Sequence, residues 1–250
     1  MRYIKDVLKR SPLLNAILRP IYYKLQGGPT VCFDALTKDQ IRNYVGKNDP
    51  VILEIGCNDG EDTLGFLQVF DNPKIYCFEP DPRAYRRFKQ QLGHRLNVRI
   101  FNIALSDRNG EITFYQSGGN IGDFVQERPE GWDLSGSIYK PKNHSKMLPG
   151  ISFPAEIQVP TKTLDTWCEE QSINSIDFIW MDVQGAERSV LSGGAVTLRK
   201  TRYLYTEYSN HELYEGQASL QEILDHLSTF TLVTRYPGDI LLKNEHVATQ

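Results

Sequence analysis

A glutamate and two glycines stand at the end of a short apolar segment, VILEIGCNDG, at residues 51–60. They are Glu54, Gly56 and Gly60, in the pattern E-x-G-x-x-x-G. An apolar run of this length is typical of a buried β-strand. Glycines directly after such a strand indicate that another group lies close to the backbone there. The segment therefore predicts a strand followed by a ligand-binding loop.

The spacing in this loop differs from that of the two common phosphate-binding loops. A P-loop requires G-x-x-x-x-G-K-[ST], and a dinucleotide-binding loop requires G-x-G-x-x-G. Here the second and third glycine positions of the dinucleotide pattern hold Asn58 and Glu61, and Asp62 follows. Acidic residues at the start of a helix suit the helix dipole but repel a phosphate. The loop therefore favours a ligand that carries a positive charge and no phosphate.

A further acidic residue, Glu79, lies 25 residues after Glu54, at the end of the next predicted strand, KIYCFEP. A carboxylate at this position can accept two hydrogen bonds from the diol of a ribose. A nucleoside with a sulfonium centre satisfies both features, so the glycine loop and Glu79 together predict a site for S-adenosylmethionine. The alternative is a glycine turn that serves packing alone.

Four side chains are candidates for acid–base chemistry. Asp182 ends the apolar segment SIDFIWM, at the kind of strand end where open α/β sheets bind ligands; the alternative is a cap for the following helix. His144 titrates near neutral pH as a free side chain, although an isolated loop histidine is more often simply solvated. Glu207 and His211 follow a later strand, and Glu207 has the alternative of an ion pair.

Residues 117–155 lack periodicity and are rich in Gly, Ser, Pro and Lys. A loop of this length inside a compact domain is typical of a lid or a binding segment. We expect it to close over the substrate, with Ser137, Lys140 and His144 as substrate-binding residues. Asp182 and Glu207 could supply oxygen ligands to a divalent metal, but no spacing assigns a metal site.

The elements that must position these residues follow an alternating pattern from residue 50 onward. The predicted strands are PVILEIG, KIYCFEP, VRIFNIAL, the end of SDRNGEITFYQ, AEIQVP, SIDFIWMDV, RYLYTEYS and a closing hairpin, FTLVTRYPGDILLKN. The predicted helices are EDTLGFLQVF, PRAYRRFKQQL, one that starts near Thr163, GAERSVLSGG and ASLQEILDHLST. Strands that alternate with helices imply a mostly parallel sheet, so the fold class is α/β.

The length, net charge and cysteine content limit the classes of function that the chain can have. The chain has 250 residues, which suits one large α/β domain with extensions or two small domains. The net charge of −3 gives no basic excess of the kind that nucleic-acid-binding proteins carry. The four cysteines, Cys32, Cys57, Cys77 and Cys168, lack metal-ligand spacing. We expect free thiols and a cytoplasmic location.

The first 45 residues predict a helical extension that precedes the domain. The segment MRYIKDVLKRSPLLNAILRPIYYKL is basic and partly apolar. It lacks the uninterrupted apolar region of a signal peptide, and it is too interrupted by Arg and Pro to span a bilayer. We expect helices that pack on the domain or on a partner subunit in a homo-oligomer. Peripheral attachment to a membrane surface is the alternative.

Five segments in order resemble the FkbM family of methyltransferases. They are LEIGCNDGEDT, CFEPDP, NIALSDRNGEITFY, VPTKTLDTW and IDFIWMDVQGAERSVLSGG. The resemblance covers roughly residues 50–245, within a predicted methyltransferase domain at 46–250. It implies a Rossmann-like sheet of seven strands, mostly parallel with an antiparallel last strand and helices on both faces. It also implies methyl transfer from S-adenosylmethionine, usually to a hydroxyl oxygen of a sugar or natural product.

The same resemblance assigns roles to matched positions. It implies that the methionine end of the cofactor is held by Gly56, Asn58 and Gly60, that Glu79 holds the ribose, and that Ala104 and Leu105 frame the adenine. Asp182 would face the reacting centre. The family often has D-V-E-G-x-E at this point, whereas this chain has Gln184, so any role that needs a charge at position 184 is in doubt.

The sequence thus predicts an S-adenosylmethionine-dependent O-methyltransferase that acts on a sugar, a glycan or a glycosylated metabolite. Two alternatives remain at this point. An oxidoreductase on the same fold would need a dinucleotide, and the failed glycine spacing opposes it. A cofactor-binding protein without catalysis, acting as a partner in an assembly, would keep the cofactor site and lack methyl transfer.

Overall fold

A computed structural model describes residues 35–119 and 131–247. The expectations for residues 1–34, for Cys32 and for the centre of the 117–155 segment lie outside these ranges. The strands, in chain order, are β1 (Val51–Ile55), β2 (Lys74–Phe78), β3 (Val98–Phe101), β4 (Ala104–Leu105), β5 (Gly110–Gly119), β6 (Ile151–Lys162), β7 (Ile176–Met181), β8 (Thr201–Glu207), β9 (Phe230–Tyr236) and β10 (Asp239–Asn244).

The described ranges contain eight helices, four of which have a side-chain cap at the first turn. They are α1 (Lys38–Val45), α2 (Glu61–Val69), α3 (Pro82–Leu92), α4 (His144–Met147), α5 (Leu164–Glu170), α6 (Glu187–Ser192), α7 (Ala195–Leu198) and α8 (Leu220–Asp225). The side chain of Asp81 accepts a hydrogen bond from the backbone N–H of Arg83 at the start of α3. Thr163 caps α5 in the same way. These caps satisfy backbone donors that have no partner within the helix.

The main sheet has seven strands in the order β3-β2-β1-β7-β8-β10-β9. The five strands from β3 to β8 in this order are parallel, whereas β10 runs antiparallel to β8. The predicted mostly parallel sheet with an antiparallel last strand is confirmed. The carboxyl ends of β1, β2, β7 and β8 therefore lie along one edge, where residues after these strands can meet.

Two apolar clusters cover the two faces of this sheet. On one face, residues of α5, α6 and α8 such as Trp167, Val190 and Ile223 pack against β1, β7 and β8. On the other face, residues of α1, α2 and α3, including Phe66 and Phe88, pack against the same strands and β2. Alternate residues of each strand point to opposite faces, so the continuous apolar runs are explained by burial on both sides.

A second sheet of three strands, in the order β4-β6-β5, was not anticipated. The segment VRIFNIAL, predicted as one strand, divides at Asn102 into β3 of the first sheet and β4 of the second. The side-chain amide of Asn102 donates to the carbonyl oxygens of Glu79 and Pro80, at 2.7 and 3.1 Å. The segment 117–155 is shorter as a loop than predicted, because β5 continues to Gly119 and β6 begins at Ile151.

The cysteines of the described ranges, Cys57, Cys77 and Cys168, are buried free thiols. Across residues 35–119 and 131–247, no helix has the length and apolar character needed to cross a membrane.

Candidate active site

A cavity opens at the carboxyl ends of β1, β2 and β7. Its walls come from the residues after these strands, from β4 and from the described part of the long loop. Of the predicted cofactor and substrate residues, those that line it are Gly56, Asn58, Glu79, Ala104, Leu105, Ser137 and Asp182.

Glu79 lies at one end of this cavity with its carboxylate held by the backbone. One oxygen accepts a hydrogen bond from the N–H of Asn58 at 2.8 Å, and the other from the N–H of Asp81 at 2.7 Å. Burial raises the pKa of Glu79 from 4.5 to about 8, although these two backbone donors act in the opposite direction. The carboxylate keeps unused lone pairs, so it can accept hydrogen bonds from a diol once it is ionised.

The second sheet and the long loop contribute part of the apolar wall of the cavity. Ile103, Ala104 and Leu105 lie at and before β4, and Phe114 comes from β5. Ile138, from the long loop, lines the same cavity. Apolar walls beside the carboxylate of Glu79 are suited to a nucleoside, whose flat base is apolar on its faces and whose ribose is polar.

The two glycines of the loop are required by packing of the protein itself. Gly56 has φ +83°, and a Cβ at this position would lie 1.9 Å from the carbonyl oxygen of Asp182. Gly60 has φ +91°, and its Cβ would lie 2.7–2.9 Å from the side chains of Leu92 and Phe88. The interpretation that these positions are small because a ligand lies on them is therefore incomplete. Gly56 also lines the cavity, whereas Gly60 does not.

Asn58 connects the glycine loop to the long loop. It has φ +47°, and its side-chain amide donates to the carbonyl oxygen of Asp133 at 3.2 Å. Asp133 also forms an ion pair with Arg87 of α3. Residues 133–138 thereby form a wall of the cavity. The described part of the long loop lies beside the predicted cofactor position.

Asp182 belongs to a network of polar side chains after β7. The Nε2 of Gln184 donates to Oδ1 of Asp182 at 2.6 Å and lies 3.4 Å from Oε2 of Glu207. The hydroxyl of Tyr214 lies 2.8 Å from the carbonyl oxygen of Ser135 and 3.3 Å from Oε1 of Gln184. An amide at position 184 thus lies between two carboxylates, and the network holds together without a charge there.

Glu187 is a residue for which the sequence reasoning gave no role. It is 1% exposed, and its Oε1 accepts a hydrogen bond from the N–H of Gly185 at 3.2 Å. Its Oε2 has no hydrogen-bond partner among the described residues. Burial raises its pKa to about 8, and the charges of Glu207 and Asp182 act in the same direction. Its place in the segment DVQGAE was the only sequence signal.

His144, the predicted base and substrate ligand, lies away from the cavity wall. Its ring is 1% exposed and lies 5.2 Å from the ring of Phe153 and 5.4 Å from that of Tyr214. Burial lowers its pKa to about 3. A histidine that stays neutral in an apolar cluster is a weak base. Neither of the alternatives considered from sequence, a solvated ring or a catalytic one, describes this position.

Four other predicted residues also lie outside the cavity lining. Glu54 is fully buried beneath the loop, where its carboxylate accepts a hydrogen bond from the hydroxyl of Thr63. Lys140 is exposed. His211 forms a local turn in which its backbone bonds the hydroxyl of Ser209. Glu207 lines a second cavity, which also has Asp182 in its wall.

The sequence left open whether Asp182 and Glu207 bind a divalent metal. Among the residues that the structure describes, no group of three or more His, Cys, Asp or Glu side chains could hold a metal ion. Asp182 and Glu207 instead share the amide of Gln184.

The sheet order, the acidic residue after β2 and the adjoining cavity define a Rossmann-like class I methyltransferase fold. The family model described as the methyltransferase FkbM domain matches residues 54–235. Over 209 residues the chain is 51% identical to the 2-O-methyltransferase NoeI of Sinorhizobium fredii, covering 82% of this chain and 84% of that protein. The chain belongs to the FkbM methyltransferase family.

Solved structures give a more distant likeness. An rRNA methylase from Streptococcus thermophilus is 10% identical with a TM-score of 0.44, covering 83% of this chain and 93% of that one. Fibrillarin from Aeropyrum pernix, solved with natively bound S-adenosylmethionine, is 12% identical with a TM-score of 0.40, covering 80% and 68% of the two chains.

This chain is an S-adenosylmethionine-dependent methyltransferase. The cavity fits that cofactor, because a buried carboxylate at one end faces a largely apolar wall. The cofactor supplies an electrophilic methyl group.

Proposed function

We propose that this chain is an O-methyltransferase that methylates a hydroxyl of a sugar, either free, within a glycan or within a glycosylated metabolite. The observation that carries the proposal is the 51% identity, over 82% of the chain, to a protein named as a 2-O-methyltransferase. By that likeness, the reacting group is the hydroxyl at the 2-position of the acceptor.

The roles of the cavity residues follow from this proposal. Glu79 accepts hydrogen bonds from the ribose hydroxyls, Ala104 and Leu105 contact the adenine, and Gly56 and Asn58 lie beside the methionine end. The position of these residues along one cavity supports this assignment. The sequence predicted that Glu54 and Gly60 bind the cofactor. Because both lie behind the cavity wall, we propose instead that they support the loop that binds it.

The acceptor hydroxyl is a poor nucleophile while it is protonated, so methyl transfer needs a group that takes the proton. Asp182 is the proposed base. Its Oδ1 is bound by the amide of Gln184, which leaves Oδ2 for the hydroxyl. Glu207 lies across the same amide and is the second proton acceptor of the network. His144 is not part of this proposal, because it is buried in an apolar cluster.

The remaining features of the proposal concern the setting of the enzyme. We place residues 46–250 in one methyltransferase domain, preceded by an extension at 1–45 whose described end, α1, packs on the main sheet of that domain. The acceptor is a small molecule or glycan and not a nucleic acid, in line with the net charge of −3. A cytoplasmic location is supported by the free thiols of the described cysteines. A homo-oligomer in which residues 1–45 contact a partner subunit is compatible with these features.

The test is an acceptor screen with the purified chain and S-adenosylmethionine. Sugars and glycosides are compared with the same compounds lacking the 2-hydroxyl, and products are detected by mass spectrometry and located by NMR. The proposal predicts an O-methylated product only when the 2-hydroxyl is present. Methylation of 2-deoxy compounds at the same rate would contradict the position. Cofactor binding without transfer to any sugar would instead favour the non-catalytic alternative.

A further inference from the structure

A second cavity adjoins the first, and we propose that it binds the acceptor as an uncharged sugar ring that carries no phosphate or carboxylate. This inference rests on the proposed function and adds the site and the charge class of its substrate. The lining residues that matter most are Lys38, Asp62, Trp180, Asp182, Tyr205 and Glu207.

The position of this cavity places an acceptor next to the cofactor. Asp182 lines both cavities. The second cavity also lies at the carboxyl edge of the sheet, since Met181 ends β7 and Glu207 ends β8, while Asp239 begins the antiparallel strand β10. A hydroxyl that bonds to the carboxylate of Asp182 from the second cavity would therefore face the contents of the first. Methyl transfer requires such an alignment of donor and acceptor.

The second cavity is the larger of the two, at about 310 Å³, which suits a sugar ring. The first cavity has the more apolar lining. A more apolar first cavity and a more polar second one match a nucleoside and a polyhydroxylated acceptor, respectively.

An aromatic wall forms one side of the second cavity. The rings of Trp180 and Tyr205 lie on adjacent strands, with centroids 4.3 Å apart and planes inclined by 30°. The ammonium of Lys38 lies 3.3 Å from the centroid of Trp180 and 3.0 Å from a carboxylate oxygen of Asp62. Burial raises the pKa of Tyr205, so its phenol keeps its proton. The wall thus consists of two aromatic rings packed against each other, with an ammonium on the face of one of them.

The charged residues of the wall are mostly acidic. Besides Asp62, Asp182 and Glu207, the described lining includes Glu61 and Asp239, and its cation is Lys38. Carboxylates accept hydrogen bonds from sugar hydroxyls, each oxygen taking up to two. The same carboxylates repel phosphate and carboxylate groups through space. The lining therefore selects neutral acceptors over anionic ones, which sets this site apart from one built for a sugar phosphate.

The experiment measures the KM of two acceptors that differ in charge. One is a neutral glycoside that the chain methylates, and the other is the same glycoside with a phosphate on a hydroxyl remote from the reacting one. We expect the phosphate to raise KM about tenfold or more at low salt, and added salt to reduce the difference. Equal KM values for the two acceptors would overturn the inference.

Two variants test whether the acceptor binds in the second cavity. Glu207→Gln removes a charged acceptor from the second cavity only, and we expect KM for the neutral glycoside to rise by about tenfold to a hundredfold, as for loss of a hydrogen bond to a charged group. Glu61→Gln, at an exposed position of the same wall, is expected to lower KM for the phosphorylated acceptor. The affinity for S-adenosylhomocysteine should stay within about twofold of wild type, because neither residue lines the first cavity.

Glu156→Gln is the matched control, since Glu156 is an exposed acid on β6 outside both cavities. Its KM values should equal those of wild type. If both cavity variants also leave KM for both acceptors unchanged while methylation proceeds, the acceptor binds elsewhere and the proposed function stands. If no sugar is methylated by a folded wild type that binds cofactor, the proposed function fails first.

Discussion

The side-chain amide of Gln184 donates a hydrogen bond to a carboxylate oxygen of Asp182 across 2.6 Å. The same nitrogen lies 3.4 Å from Glu207. Two carboxylates near each other would raise each other's cost of ionisation, and an amide donor placed between them offsets part of that cost. The neutral residue at position 184, where the family often has a glutamate, thus organises the two acids at the junction of the cavities.

Gln184→Glu replaces this donor by a third carboxylate. We expect the acidic limb of the kcat profile to move to higher pH, because a third negative charge favours retention of a proton in the cluster. The measurement is kcat against pH for wild type and variant under saturating acceptor. A profile with an unchanged acidic limb would show that the proton acceptor is insensitive to position 184.

Gly56→Ala tests the close approach of the glycine loop to the end of β7. The new Cβ would lie 1.9 Å from the carbonyl oxygen of Asp182, at φ +83°. Backbone strain and overpacking together predict a loss of about 2–5 kcal/mol in the free energy of unfolding. The matched control is Gly46→Ala, which has φ +71° and open space around the Cβ. Urea unfolding should give a loss of about 1–2 kcal/mol for that control, and equal losses would contradict the account.

The raised pKa of Glu187 predicts that the free energy of unfolding depends on pH. Its folded pKa is about 8, against an ordinary value of 4.5. Between these values the folded chain retains a proton that the unfolded chain has released, so stability falls as pH rises through this window. Glu187→Gln removes that contribution, because its amide oxygen can still accept from the N–H of Gly185. Thermal unfolding should show a smaller decrease for the variant from the acid to the alkaline end of the window.

Glu79 also makes stability fall as pH rises, since its pKa is likewise raised to about 8. Some pH dependence should therefore remain in Glu187→Gln. A variant that keeps the full wild-type slope would indicate that Glu187 ionises normally in the folded chain.

His144→Phe separates a structural role from a catalytic one. The ring of His144 is buried against Phe153 and Tyr214, and burial lowers its pKa to about 3. A phenylalanine should fill the same space, so we expect kcat within about threefold of wild type and equal or greater stability. A loss of kcat by a factor of about 100 or more, with the fold intact, would restore histidine as the general base.

Much of the main sheet was predictable because its strands are apolar on both faces and its helices have clear caps. The helix Pro82–Leu92 was predicted with the same bounds, since Pro82 and Asp81 fix its start. The hairpin of β9 and β10 turns at Pro237 and Gly238 as expected. Alternation predicts that a strand forms but not which strand it pairs with, and for that reason the second sheet was missed.

The site was predictable where the residue lies directly after a strand of the main sheet. Glu79 and Asp182 are such residues, and both line the first cavity. His144 and Lys140 lie in a loop whose path depends on packing against Tyr214 and the second sheet, which no local pattern encodes. The sequence did not show whether Glu54 faces the ligand or the core. The residues on both sides of it are apolar and buried, so the pattern does not distinguish the two faces of the strand.

The most direct test of the central claim is calorimetric titration of S-adenosylhomocysteine into wild type, Glu79→Gln and the exposed control Glu156→Gln. We predict that, at a pH above about 8, where Glu79 is ionised, Glu79→Gln weakens binding about tenfold to a hundredfold, whereas the control binds as wild type does. Wild-type affinity should also rise with pH up to about 8, because the ribose hydroxyls favour the ionised carboxylate of Glu79. Equal affinities for wild type and Glu79→Gln, or no binding to the folded wild type, would contradict the assignment of this cavity to the cofactor.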